Sequence, residues 1–147
     1  MKIRFGLGGI TKEGKEKSFF RSPESLAQYR DYLGRITRFV PVESAGRITE
    51  PAQGLTWICD REKGKAVSSE ELAKKLQTVM NSGVKELTIA IGGPDGFSRD
   101  EIKKLAPGFV WSFGPLTLPH ELAAVLAAEQ IYRAFTILHH HPYHRQH

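Results

Sequence analysis

The sequence has a single cysteine and no long hydrophobic run. Cys59 has no second cysteine with which to form an internal disulfide, and its place in an apolar segment is typical of a buried, structural thiol. No window approaches the roughly 18 consecutive apolar residues that a membrane-spanning helix requires. The first residues also lack the apolar core and small-residue cleavage site of a secretory signal. We therefore expect a soluble protein that stays in the cytoplasm and contacts no membrane.

Several motifs of common enzyme classes are absent as well. Gly6, Gly8 and Gly9 lie at the end of a predicted strand, but the third glycine of a dinucleotide-binding fingerprint would fall on Thr11. No glycine-rich run precedes Lys and Ser or Thr at the spacing of a phosphate-binding loop, and the Gly-x-Ser-x-Gly elbow of serine hydrolases does not occur. These absences argue against a Rossmann dehydrogenase, a P-loop nucleotidase and a serine or cysteine hydrolase.

The length of the chain indicates how many domains it forms, and its net charge indicates what kind of partner it binds. A chain of 147 residues, 40% of them hydrophobic, suits one domain spanning residues 1–147, because two cores would each bury too little apolar surface. The 21 Lys and Arg residues exceed the 16 Asp and Glu residues and give a net charge of +5. This excess favours a polyanionic partner through attraction to phosphates. A basic surface that is merely solvated explains the same charge equally well.

The first half of the chain alternates predicted strands and helices. Alternating polar and apolar residues predict a strand over Lys2–Leu7, and β-forming residues predict two more over residues 37–42 and Leu55–Cys59. Between the first two strands, Ser22 as N-cap and Pro23 at the first helical position begin a helix.

The second half continues the alternation. A helix begins at the capping box Ser68 and Glu71 and ends at 81–83, and an apolar strand over 87–91 follows it. A short helix then begins at the capping box Ser98 and Glu101. The last predicted elements are a strand over 109–113 and a helix over His120–Leu138. Strands that alternate with helices predict an α/β fold with a parallel sheet, whose ligand sites lie beyond the carboxyl ends of the strands.

Two loops and the last helix stand out in this pattern. The glycine-rich loop 92–96 and the apolar, proline-stiffened loop 113–119 both leave strand carboxyl ends, and they offer backbone groups and a flat surface that suit an adenine ring. A tight turn explains residues 94–96 equally well. The last helix is apolar around most of its circumference, which predicts a covering partner subunit.

The histidine-rich tail over 139–147 has three open explanations. It is compatible with a purification tag, with an adventitious zinc site and with a flexible charged end. Since no second cluster of Cys or Asp completes a structural metal site, we predict no resident metal.

Four ordered blocks of residues resemble the ribosomal large-subunit methyltransferase H family. These are residues 91–96, 111–120, 128–134 and 141–145. Asp60 and residues 68–71 extend the likeness, which is close from about Trp57 to Arg145 and looser before that. Residues 29–36 and 39–43 carry most of the likeness in the N-terminal half.

The resemblance implies a SPOUT fold, an α/β architecture with a mainly parallel sheet flanked by helices and a C-terminal trefoil knot. It implies a homodimer, S-adenosylmethionine as cofactor, and methylation of N3 of a pseudouridine in 23S ribosomal RNA, either free or in the assembled ribosome. The cofactor contacts that it implies fall on Cys59, Gly92, Phe113, Gly114, Pro115, Leu116, Thr117 and Leu118.

Some positions depart from the family pattern. Cys59 stands where the family has an aliphatic residue, Phe113 and Gly114 stand where leucine and serine are more common, and His140 stands where asparagine is common. Backbone contacts to a cofactor survive such changes. The segment from Gly6 to Phe20 departs more widely.

The chemistry needs groups that handle a proton. N3 of a pseudouridine is protonated at neutral pH, so methyl transfer requires removal of that proton or stabilisation of the developing charge. The candidates for this catalytic work are Tyr143, His144, Arg145 and His120. The alternative function is a non-catalytic RNA-binding or ribosome-associated protein that retains the fold.

Overall fold

The computed structural model describes residues 1–8, 19–46, 48 and 54–145. In chain order, its elements are β1 (Lys2–Leu7), α1 (Pro23–Ile36), β2 (Val42–Ala45), β3 (Leu55–Cys59), β4 (Lys65–Ala66), α2 (Ser69–Asn81), β5 (Glu86–Ile91), α3 (Arg99–Leu105), β6 (Phe109–Ser112) and α4 (His120–Leu138). The predictions that fall on residues 9–18 lie outside the described residues.

The strands form one parallel sheet in the order β2-β1-β5-β3-β6-β4. The apolar strand β5 lies inside it, with Ile3 of β1 and Leu55 of β3 both aligned to Leu87. Its last five residues are buried, as expected for a strand covered on both faces. The predicted α/β fold with a parallel sheet is confirmed.

The two faces of the sheet carry cores of different size. Phe5, Trp57 and Ile89 belong to the larger core, which packs against α1, α2 and α4. Ile58 and Ala90 point to the opposite face, where a small cluster includes residues of α3. The alternation of side chains along each strand therefore buries both faces.

The chain itself covers much of the apolar helix α4. This helix packs against α1 and α2, and nine of its residues are buried, from Ala124 to Thr136. Leu122 is the large apolar side chain of α4 that stays well exposed, at 42%. An apolar circumference therefore does not by itself require a partner, and the homodimer stays a prediction, as does the trefoil knot.

Helix starts were predicted correctly because their signals are local. Ser22, Ser68 and Ser98 each accept a hydrogen bond from a backbone N–H of the first turn, and the last two complete capping boxes with Glu71 and Glu101. No helix in the described part of the chain is long and apolar enough to span a membrane.

The strand predicted over 37–42 is wrong. Residues 37–40 form turns after α1, and the strand β2 begins only at Val42. Phe39 instead stacks on Phe135 of α4, with ring centroids 5.3 Å apart. A packing contact with a distant helix thus prevails over the local β-propensity of this segment. The two-residue strand β4 was not predicted, because Lys65 and Ala66 are exposed and carry no pattern.

Candidate functional site

A cleft of about 400 Å³ opens at the carboxyl ends of β3, β5 and β6. Its described lining comes from the loops after these three strands and the start of α4: residues 59–63, 91–97, Trp111, Phe113, Gly114, Leu116, Thr117, Leu118, His120 and Ala123. A volume of this size accommodates a small ligand or cofactor. The sequence-predicted position of the ligand site, beyond the carboxyl ends of the strands, is where this cleft lies.

Most of the residues predicted to contact a cofactor meet in this cleft. Cys59, Gly92, Phe113, Gly114, Leu116, Thr117 and Leu118 line it. Pro115, in the middle of the same loop, is not among the lining residues. Leu116 is 71% exposed and lies at the rim, so its side chain is available to a ligand or to a larger partner.

The loop 92–96 is closed by contact between two glycines. A Cβ on Gly92 would lie 2.9 Å from Cα of Gly96, and Gly96 has a φ of 67° that favours glycine. The N–H of Gly96 donates to the carbonyl of Gly93 at 2.9 Å. Gly92 is therefore required by the chain's own turn, whereas the resemblance gave it only as a cofactor contact. The turn nevertheless forms part of the cleft lining.

The loop after β6 depends on Gly114. Its φ of 103° is a conformation that other residues rarely adopt, and the space beside its Cα is open. Phe113 packs edge-on against Trp111 with ring centroids 4.8 Å apart, so both rings contribute apolar surface to the cleft. This loop offers backbone groups and aromatic surface, as the sequence indicated.

The loop after β3 supplies the charged side of the cleft. Oδ1 of Asp60 accepts hydrogen bonds from the N–H groups of Glu62 and Lys63, each at 3.0 Å. Gly64 lies so close to β6 that a Cβ there would be 2.7 Å from N of Ser112. The sequence does not indicate this contact, because the approach of Gly64 to β6 depends on the sheet order.

The environment of the Cys59 thiol does not favour a nucleophile. Burial, with a smaller contribution from the neighbouring carboxylate of Asp60, raises the pKa of the Cys59 thiol. The thiol stays protonated at neutral pH, and the thiolate is the reactive form. The prediction of a structural cysteine agrees with this environment.

His120 is fixed at the edge of the cleft. Its Nε2 donates to the carbonyl oxygen of Phe19 at 2.8 Å, since a carbonyl only accepts, and the two rings pack edge-to-face. In the neutral form of this ring, Nδ1 is therefore the acceptor nitrogen. The next residue, Glu121, accepts from the N–H groups of Arg21 and Ser22 at 2.6 and 2.8 Å. The start of α4 thus holds the segment that leads into α1.

The other three predicted catalytic residues lie outside the cleft lining. His144 stands between Arg133, whose Nη1 is 3.0 Å from Nδ1, and Glu70, whose Oε1 is 2.8 Å from Nε2. Because a guanidinium only donates, Nδ1 accepts and Nε2–H donates to the carboxylate. Both ring nitrogens of His144 are occupied within the chain.

Glu129 connects this tail to α4. It accepts from Nε of Arg133 at 2.8 Å and from the hydroxyl of Tyr143 at 3.2 Å, while the guanidinium of Arg133 lies 4.8 Å from the centre of the Tyr143 ring. Burial and the charge of Glu129 raise the pKa of the Tyr143 hydroxyl. Tyr143 is thus a hydrogen-bond donor at neutral pH and not a base.

The cleft and the tail cluster are separate places in one chain. We define the tail cluster as Glu70, Glu129, Arg133, Tyr143 and His144. Glu129 lies nine residues beyond His120 in α4, which is about 14 Å along the helix axis. Glu70 and Glu129 lie in the stretches that carry the resemblance, but the sequence assigned them no place in the site, because only the folded chain brings α2, α4 and the tail together. Arg145 is exposed next to this cluster.

Within the described residues, no group of three or more His, Cys, Asp or Glu side chains could hold a metal ion. Two histidines of the tail make other contacts. The ring of His139 packs against Phe39, and Nδ1 of His141 accepts from the N–H of Tyr143 at 3.2 Å.

Comparisons with known proteins agree with this architecture. Residues 42–144 match the family described as Predicted SPOUT methyltransferase. The chain is 41% identical to the Ribosomal RNA large subunit methyltransferase H of Koribacter versatilis (strain Ellin345) over 159 residues, an alignment that covers 100% of both proteins. It is 49% identical over 88 residues to the protein of the same name from Bartonella bacilliformis, covering 60% of this chain and 53% of that protein.

A solved structure shares the fold. A probable methylase family protein from Haemophilus influenzae Rd KW20 superimposes with a TM-score of 0.57 and 10% sequence identity, over 98% of this chain and 70% of that chain. The family match over most of the chain and the full-length relative confirm the resemblance found in the sequence. The chain belongs to the SPOUT methyltransferase family, among the proteins named ribosomal RNA large subunit methyltransferase H.

Proposed function

We propose that this protein transfers a methyl group from S-adenosylmethionine to N3 of a pseudouridine in 23S ribosomal RNA. The observation that carries the proposal is the cleft of about 400 Å³, in which seven of the eight expected cofactor-contacting residues meet. The full-length relative from Koribacter versatilis, named as a ribosomal RNA large subunit methyltransferase, supports the class of substrate.

The residues of the cleft fit S-adenosylmethionine. Trp111, Phe113 and Leu118 offer apolar surface for an adenine ring, and the strand-end loops offer backbone donors and acceptors. Asp60 and Asp95 supply carboxylates for the hydroxyl and ammonium groups of the ligand. When bound, the cofactor supplies an activated methyl group on a sulfonium.

Methyl transfer requires a residue of the chain to accept the proton on N3 or to stabilise the charge that develops when this proton leaves. His120 lines the cleft, and because its Nε2–H donates to Phe19, Nδ1 is the ring nitrogen that can accept a proton. We therefore place proton acceptance at Nδ1 of His120. Tyr143, His144 and Arg145 are proposed to act on the RNA, by stacking on a base and by contacting phosphates or the developing charge.

The partner follows from the same proposal. An excess of basic residues favours binding to ribosomal RNA, either free or in the assembled ribosome, because it attracts phosphates and releases counterions. A protein with this substrate works in the cytoplasm.

We propose that the protein is a homodimer. The tail cluster does not line the cleft of its own chain, and a second chain would bring another tail and another cleft within reach of one RNA segment. Light scattering at micromolar concentration is expected to give twice the 16.5 kDa mass of one chain. A monomer alone under these conditions would contradict the proposal.

Calorimetry separates the enzyme from a non-catalytic RNA-binding protein of the same fold. Titration of the protein with S-adenosylmethionine is expected to show one site per chain. Absence of binding, together with retained binding to ribosomal RNA, would favour the non-catalytic alternative.

A further inference from the structure

Ser112, the last residue of β6, lies between two of the loops that line the cleft. Its side chain is 5% exposed. The loop after β3 approaches it through Arg61, and the loop after β6 approaches it through Gly114. Ser112 itself is not part of the cleft lining, so it contacts the two lining loops on the side that faces away from the cleft.

The Ser112 hydroxyl is hydrogen-bonded to both loops. Its Oγ lies 3.2 Å from the carbonyl oxygen of Arg61 and 3.2 Å from that of Gly114, and it accepts from the N–H of Gly114 at 3.1 Å. A hydroxyl has one hydrogen, so it donates to only one of the two carbonyls at a time. The single hydroxyl proton can therefore be donated either to the loop after β3 or to the loop after β6, whose carbonyl oxygens are equally distant.

Other bonds hold the ends of these loops without the hydroxyl. The N–H of Asp60 donates to the carbonyl of Trp111 at 2.9 Å, and Ala66 of β4 aligns with Ser112 in the sheet. Loss of the hydroxyl consequently leaves the strands paired. The loss of the hydroxyl instead removes a hydrogen bond from the peptide at Arg61 and from the peptide at Gly114. The backbone of Gly114 is in the left-handed region and has open space beside it.

We propose that Ser112 is a positioning residue for cofactor binding, which holds the loops after β3 and β6 in the arrangement that the ligand needs. This inference rests on the proposed function of the cleft. It assigns to Ser112 an effect on cofactor affinity that exceeds its effect on folding, because the bonds that it makes end on cleft-lining residues.

The variant Ser112→Ala tests the proposal. We expect calorimetry to show an affinity for S-adenosylmethionine lower by about tenfold, since the hydroxyl's bonds to both walls are lost. In steady-state kinetics with ribosomal RNA, KM for the cofactor should rise by a similar factor while kcat stays close to the wild-type value.

Thr136→Val is the matched control. Thr136 is also buried, and its hydroxyl donates to the carbonyl of Arg133 at 2.6 Å on α4, outside the cleft lining. This variant should lower the melting temperature without changing cofactor affinity. Wild-type affinity in Ser112→Ala, or an equal loss in Thr136→Val, would overturn the inference. Failure of the wild-type protein to bind S-adenosylmethionine would instead contradict the proposed function itself.

Discussion

Deleting residues 142–147 is expected to lower the rate of methyl transfer to ribosomal RNA by roughly 10², the size of a lost base-stacking contact, while the affinity for S-adenosylmethionine stays nearly unchanged. The tail contributes the partly exposed ring of Tyr143 and the exposed cation of Arg145, which suit a base and its phosphates. The cleft lining contains no residue of 143–145. Single-turnover methylation assays and calorimetry on the same preparation measure the two quantities.

Point variants divide this effect among the tail residues. His144→Ala should reproduce part of the loss, because it removes the contacts with Arg133 and Glu70 that hold the tail on the chain. Arg145→Ala should weaken RNA binding with little change in cofactor affinity, and the dependence of binding on salt should become shallower.

His140→Asn is the control for the tail. His140 is exposed and has a φ of 56°, a conformation that asparagine tolerates well. This variant should methylate at the wild-type rate. A truncated protein that also methylates at the normal rate would show that the tail is dispensable, and the search for RNA-contacting groups would move to residues around His120.

Gly92→Val is expected to reduce cofactor affinity by roughly a hundredfold, with the overall fold retained. The reason is steric, because the first atom of the new side chain would lie 2.9 Å from Cα of Gly96. The turn over 92–96 must open to relieve this contact, and its residues line the cleft. Calorimetry measures the loss of affinity, and circular dichroism monitors the fold.

Gly34→Val is the control for this substitution. Gly34 lies in α1 with nothing within 4 Å of its added Cβ, so the same new side chain meets open space. Its cofactor affinity should equal that of the wild-type protein. If Gly92→Val binds S-adenosylmethionine as tightly as the parent, the cofactor site lies elsewhere.

The fold was predictable where its determinants are local. Ser22, Ser68 and Ser98 start three helices through contacts within one turn, and the apolar segment 87–91 indicates a strand covered on both faces. The limits of a strand in contact with a distant helix are not local. Residues 37–40 were assigned to a strand because Phe39 and Val40 favour it, but Phe39 stacks on Phe135 instead.

The sequence allowed us to predict which loops form the site. It did not allow us to predict which residues contact each other there. The resemblance identified the loops that line the cleft, and seven of eight cofactor residues meet there. The role of Gly64 against β6 depends on the position of β6 beside β3 and β4, which no local pattern encodes. The partners of His144 are equally remote, since Glu70 lies 74 positions away in the chain.

The central claim is that this protein methylates N3 of a pseudouridine in 23S ribosomal RNA, using the cleft at the ends of β3, β5 and β6. Mass-spectrometric mapping of modified nucleotides in ribosomal RNA, from cells with and without the gene, tests it most directly. We expect one N3-methylated pseudouridine to disappear without the gene, to return with the wild-type protein and to stay absent with Gly92→Val. An unchanged modification map in cells that lack the gene would contradict the claim.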